Sequence, residues 1–127
     1  MRMPDVPVLV VEGDSSNAKL LVVLLRAEGA DARSASSAES ALSLLPYVRP
    51  RVVITEAVLP EMGGLDLARE LRKLDPTMTI VIVTSRNGPE AMAAARAAGA
   101  NGFFQKPIDT NEFVRQLDEL MREKGNR

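Results

Sequence analysis

"VVITEAVLPEMGG", residues 52–64, runs three apolar residues and a threonine into a carboxylate, Glu56, and leaves through Pro60 and a pair of glycines. Four β-branched residues with no polar alternation read as a strand buried on both faces. Strands of that kind belong to parallel sheets covered by helices on either side. The proline and the glycines close the run and lead into a following helix. An acid at the mouth of such a strand needs a reason, because a carboxylate beside a dry interior is costly without a partner.

The same pattern recurs outward in both directions. "VPVLVV" (6–11), "TIVIVT" (79–84) and a shorter "GFFQ" (102–105) are apolar runs, and "ADARSA" (30–35) is a weaker, more polar one suited to a less buried place in the sheet. Helical patterns lie between them. "SSAE" (36–39), "NGPE" (87–90) and "DTNE" (109–112) each set a capping residue three positions before a glutamate, which is capping-box spacing. Gly29 and Gly99 stand where helix-ending glycines are expected. Phe113, Leu117, Leu120 and Met121 recur at helical spacing, which predicts one face of a last helix docked on the sheet. The sum is five strand-then-helix units, an α/β fold with an open, doubly wound parallel sheet; five units are too few to close an eight-stranded barrel.

Composition narrows the chemistry. The 127 residues suit one domain over 1–127, with a core over about 7–122 and residues 123–127 as a tail or the start of a linker. Sixteen Lys and Arg nearly balance seventeen Asp and Glu, so bulk charge selects neither nucleic acid nor an anionic membrane as partner. With no Cys and no His, disulfides, thiolate or imidazole metal sites, and His- or Cys-based catalysis are excluded. No apolar run approaches the roughly 20 residues of a membrane span, and the N-terminus lacks a signal-peptide pattern. A soluble, cytoplasmic protein is expected.

In open α/β sheets the ligand crevice lies beyond the carboxyl ends of the strands. The residues that follow the apolar runs are Glu12, Gly13 and Asp14, then Glu56, then Thr84 and Ser85, then Lys106 and Pro107. Any one of them alone is ordinary, since loops meet water there. As an ordered set they place three acids, hydroxyls and a lysine at one end of the sheet.

"VLVVEGD", "VVITEAVLPEMGGLDL", "VIVTS" and "GANGFFQKPID" occur in the order and spacing of the receiver domain of two-component response regulators, which the chain resembles from about residue 7 to residue 122. The resemblance implies a flavodoxin-like (βα)5 fold with strand order 2-1-3-4-5. It also implies a strand-end aspartate that takes a phosphoryl group from a histidine kinase. Glu56 stands at that phosphoacceptor position, Glu12 and Gly13 at the family's acidic pair, Thr84 at its hydroxyl, Lys106 and Pro107 at its lysine and proline, and Phe103 at its switch aromatic.

The departures bear on one chemistry. Phosphoryl transfer to a carboxylate needs in-line approach and a divalent ion to neutralise the moving charge. Mg²⁺ requires near-octahedral oxygen ligation at roughly 2.0–2.1 Å and relies on one or two well-placed carboxylates. Gly13 removes one such ligand, and Glu56 carries its oxygens a methylene too far; a misplacement of about 1 Å can cost on the order of a hundredfold in rate. Mg²⁺ binding is therefore expected to be weak or absent, with no metal ligands, cofactor or catalytic residues assigned. Asp14 either rescues the metal site, or starts the first helix within "GDSSN", with Asp14, Ser15 or Ser16 as the cap, or faces solvent. Glu56 either forms a standing contact with Lys106 in place of a phosphoryl-to-lysine contact, or only balances its charge.

The remaining expectations concern surfaces. Thr84 either awaits a phosphoryl oxygen or satisfies backbone groups, and Arg86 is a second cation near the acids or a solvated loop residue. Phe103 is expected to be partly exposed near the last helix. The helix over 89–100 is alanine-rich on its buried side and so loosely anchored. Partners implied by the resemblance are other signalling proteins, a histidine kinase or an output partner, or a second copy meeting the surface of the fourth helix, fifth strand and fifth helix, where Met92, Arg96, Arg115 and Glu119 are candidates; no nucleic acid or membrane partner is expected. The function implied is a receiver module acting by protein contact rather than as an enzyme. The alternatives are a receiver still phosphorylated at Glu56, or a nucleotide binder, which lacks any G-x-G-x-x-G or P-loop.

Overall fold

A computed structural model describes residues 1–123. In chain order the elements are β1 Pro7–Val11, α1 Ser15–Ala27, β2 Asp31–Ala35, α2 Ala38–Val48, β3 Val52–Glu56, α3 Gly64–Leu74, β4 Thr79–Thr84, α4 Pro89–Ala97, β5 Gly102–Gln105 and α5 Thr110–Glu123. The five strands are all parallel and lie in the order β2-β1-β3-β4-β5. The expected topology holds.

Two apolar layers cover the sheet. On one side, α1 and α5 bury Leu21, Val22, Leu25, Phe113, Leu117 and Met121 against alternate residues of β1, β3 and β4 such as Val10, Ile54 and Val81. On the other, α2, α3 and α4 lie over Leu9, Val53, Ile80 and Ile82. Every residue of β4 is buried, as an unbroken apolar run in a two-sided parallel sheet should be. β2 is an edge strand with only Ala32 and Ala35 buried, which matches its polar composition.

The core extends further toward the N-terminus than residue 7. Met3 is fully buried, and Met3 and Asp5 donate backbone hydrogen bonds to the Glu28 and Gly29 carbonyls, both at 2.9 Å. At the other end α5 continues through Glu123, so the expected tail begins no earlier than residue 124, and residues 124–127 lie outside the described ones.

Two of the three expected capping boxes are shifted. Ser37, not Ser36, caps α2 by accepting from the Ser40 N–H at 3.1 Å, and Glu39 instead accepts from Met62 N–H at 3.3 Å, pinning the loop after β3. α4 begins at Pro89 after Gly88 with no side-chain cap, because Gly88 has φ 94° and Asn87 stands outside the helix. Asp109 does cap α5, accepting from Glu112 N–H at 3.0 Å. Gly29 and Gly99 end their helices at φ 92° and 98°.

Candidate functional site

The crevice is built by register. Val11 of β1 pairs with Thr55 of β3, so the next residues, Glu12 and Glu56, leave neighbouring strands at the same level. On the far side Thr84 pairs with Gln105, and the Lys106 N–H donates to the Thr84 carbonyl at 2.8 Å, which aims the lysine back across the strand ends. The Lys106–Pro107 peptide bond is cis.

The Lys106 ammonium sits between the two acids, its Nζ 2.8 Å from Glu12 Oε2 and 3.6 Å from Glu56 Oε1. The side chains of Glu12, Glu56 and Lys106 are 5%, 12% and 20% exposed, so this is a largely desolvated triad. The deeper and closer partner is Glu12, which sequence reasoning had placed only as one of the acids. Glu12 uses its other oxygen to accept from the Asp14 N–H at 3.2 Å. Glu56 Oε2 accepts from the Ala57 N–H at 2.9 Å.

Burial pushes the Glu56 carboxyl above the ordinary glutamate value. Lys106 and the Ala57 N–H pull it down, and Glu12 adds to the rise. Desolvation prevails because the ammonium is shared with a nearer carboxylate.

The glycines of the opening stretch position this acid. Gly64 is pressed against the end of β3: a Cβ there would lie 1.9 Å from the Glu56 carbonyl oxygen. Its N–H also donates to the Ala57 carbonyl at 2.9 Å, closing the loop that carries Pro60. No other residue type fits that contact.

The remaining expected site residues disperse. Asp14 is the N-cap of α1, its Oδ1 accepting from Asn17 N–H at 3.0 Å in an exposed position, so its carboxylate serves the helix. Gly13 is exposed and offers no side chain. Thr84 is buried, and its hydroxyl accepts from the Arg86 N–H at 3.3 Å. Ser85, Pro107 and Arg86 are exposed, and among the described residues no ion pair joins Arg86 to the acids.

Phe103 and Phe104 point to opposite sides of the sheet, as adjacent strand residues must. Phe104 takes the α5 side, edge-on to Phe113 with ring centroids 4.7 Å apart. Phe103 is half-buried and packs with the layer that includes α4, beside Met92, Ala95 and Arg96. It also borders a shallow hollow with Arg115 and Glu119, so the four expected surface residues flank the free edge of β5. Arg115 is itself bridged to Glu112 and Glu119 on α5.

As placed, Glu12 and Glu56 face an ammonium, Asp14 caps a helix, and position 13 offers no side-chain oxygen. Among the described residues no group of three or more acids converges as a metal site. No helix among them is long and apolar enough to cross a membrane.

Known proteins share this arrangement of elements. The family model described as the response regulator receiver domain matches residues 8–118. A probable transcriptional regulatory protein, TcrX of Mycobacterium tuberculosis, is 33% identical over 98% of this chain and 55% of its own length. The DNA-binding response regulator MtrA of Mycobacterium leprae is 31% identical over 91% of the chain and 51% of its own. The chain thus spans about half the length of these curated relatives. A crystal structure of a putative response regulator from Chloroflexus aurantiacus superposes with a TM-score of 0.87 at 30% identity, covering 94% of this chain and 98% of that one.

Proposed function

The chain belongs to the response regulator receiver domain family of two-component signalling, and we propose that it is an atypical receiver, working through protein contacts without ordinary phosphorylation of its acceptor position. One observation carries this reading: the Lys106 ammonium already lies between Glu12 and Glu56, 2.8 Å and 3.6 Å away. A divalent ion entering the crevice would have to displace that ammonium and do so with one carboxylate fewer. Of the two negative charges that would draw Mg²⁺, one is already offset by Lys106.

The acceptor is handicapped as well. One Glu56 oxygen is held by the Ala57 N–H and the other faces Lys106, so an attacking oxygen must give up a partner first. Without a divalent ion, nothing but Lys106 balances the incoming phosphoryl charge.

In this reading the partners are a histidine kinase or an output protein, or a second copy, met through α4, β5 and α5. The domain has no catalytic residues, needs no cofactor and works in the cytoplasm. Nucleic acid is not its direct partner, in keeping with the chain's near-neutral charge.

The test is incubation with acetyl phosphate and Mg²⁺ followed by intact-mass spectrometry of the wild type and Glu56→Gln. The expected result is that neither gains the mass of a phosphoryl group. A gain in the wild type that Glu56→Gln abolishes would establish the phosphorylatable alternative.

A further inference from the structure

A second polar hollow, of about 570 Å³, opens between α1 and the carboxyl end of β2, beside the lysine crevice. Ser15, Ser16, Lys19 and Arg26 of α1 line it with Ser34 and Ser36 from the strand and the loop beyond. Its size is that of a small-molecule site; Ala18, Val22 and Ala35 form part of its wall, and its charged groups are two cations and one acid, Glu12.

Both cations lack a carboxylate partner. Lys19 is exposed, and among the described residues it enters no ion pair or side-chain hydrogen bond. Arg26 turns Nε and Nη2 onto the Ala32 carbonyl at 3.1 and 2.9 Å, which fixes its guanidinium while leaving the charge uncompensated and Nη1 free to donate. The one acid on the wall, Glu12, is neutralised by Lys106 and accepts from the Asp14 N–H.

Gly13 completes the case. It lines the same hollow, and a Cβ built on it would meet nothing closer than the Ser36 carbonyl oxygen at 3.8 Å and Pro60 Cδ at 4.0 Å. Packing therefore does not demand glycine here. A side chain at position 13 would fit, and an acidic one would put a negative charge on the rim of a basic hollow.

We propose that this hollow binds a small phosphate-bearing anion. Lys19 supplies the contacting charge and the serine hydroxyls nearest it, Ser15 and Ser16 one turn away on α1 and Ser36 across the hollow, supply hydrogen bonds to its oxygens; Arg26, about 10 Å further along α1, adds only its field. No divalent ion is needed, so the proposal stands apart from the reading of the lysine crevice.

Amide NMR titration with sodium pyrophosphate, in EDTA and at constant ionic strength, tests it. The expected result is saturable one-to-one binding, with shifts centred on residues 13–19 and 34–36. Lys19→Glu, an exposed substitution outside the core, should weaken binding by roughly tenfold or more, and Gly13→Asp by roughly threefold. Non-saturating shifts, shifts spread over basic residues elsewhere, or a Lys19→Glu titration that matches the wild type would each overturn the proposal.

Discussion

Lys106 is the residue on which the crevice depends, because among the described residues its ammonium alone pairs with two mostly buried carboxylates. Replacing it by methionine keeps the volume and strands Glu12 and Glu56 in a dry site. Lys106→Met should lower stability at pH 7 by about 3 kcal/mol, the cost of breaking a buried pair on one side. Part of the loss should return at acidic pH, where Glu56, already raised by burial, takes up its proton; equal destabilisation at pH 7 and at acidic pH in urea titrations would contradict this. Glu56 gives a second pH signature. Its folded-state carboxyl titrates above the ordinary glutamate value because of burial, so the folded state binds the proton more readily than the unfolded chain. Its contribution to stability is therefore fully present below the unfolded value and is lost as pH rises through the folded one. Glu56→Gln cannot titrate there, so the variant should gain on the wild type in thermal unfolding as pH rises from about 4 to 7. A constant difference across that range would mean that Glu56 is not desolvated. Gly64 offers a steric test at the same scale: Gly64→Ala forces a Cβ into the β3 carbonyl and should destabilise by several kcal/mol, on the order of an overpacked core site or worse.

Among the elements, α4 and the α3–β4 junction differ most in how they are held. Only Ala95 of α4 is buried, whereas α1 buries Ala18, Leu21, Val22 and Leu25. Hydrogen exchange should therefore be faster across α4 than across α1; equal protection would contradict the packing argument. The loop that follows α4 is tied down from elsewhere. Arg72 of α3 donates to the Gly99 carbonyl at 2.7 Å, to Asn101 Oδ1 at 2.8 Å and to the Met78 carbonyl at 2.7 Å, joining the start of β4 to the turn before β5. Arg72→Lys keeps the charge but loses the fork, and it should cost about 2 kcal/mol in chemical denaturation, nearly as much as Arg72→Ala. This tie was not legible in the sequence. Arg72 stands in a charged helix among other basic residues, and nothing in its spacing reveals that the chain folds four carbonyls and an amide around it. The helix starts show the same limit. Asp109 was readable from its spacing to Glu112, which Thr110 and Asn111 do not share, whereas Ser36 has that spacing to Glu39 and yet the φ/ψ of the turn selects its chemically alike neighbour Ser37. At Gly88 a positive φ and Pro89 set the start of the helix without any cap.

At the scale of the whole molecule, the parallel sheet followed from runs apolar on both faces, and its strand order from the resemblance to receiver domains. The crevice followed because parallel strands deliver their carboxyl ends to one edge. The site was legible as a set of residues and not as a set of bonds. Residue types placed Glu12, Glu56 and Lys106 together; which of two equally long acids lies nearer the ammonium depends on the direction of the β5–α5 turn, and the answer is Glu12. Asp14 left the site because a helix start competes for the same carboxylate. The central claim is that the Lys106 ammonium already fills the space between the two acids, so that the crevice does not hold a divalent ion with a phosphoryl group. The most direct measurement is thermal unfolding with and without Mg²⁺ and beryllofluoride, in the wild type and in a Gly13→Asp/Glu56→Asp variant that restores the missing ligand and shortens the acceptor. The account predicts no shift in Tm for the wild type and a rise for the variant. A Mg²⁺-dependent rise in the wild type would contradict it.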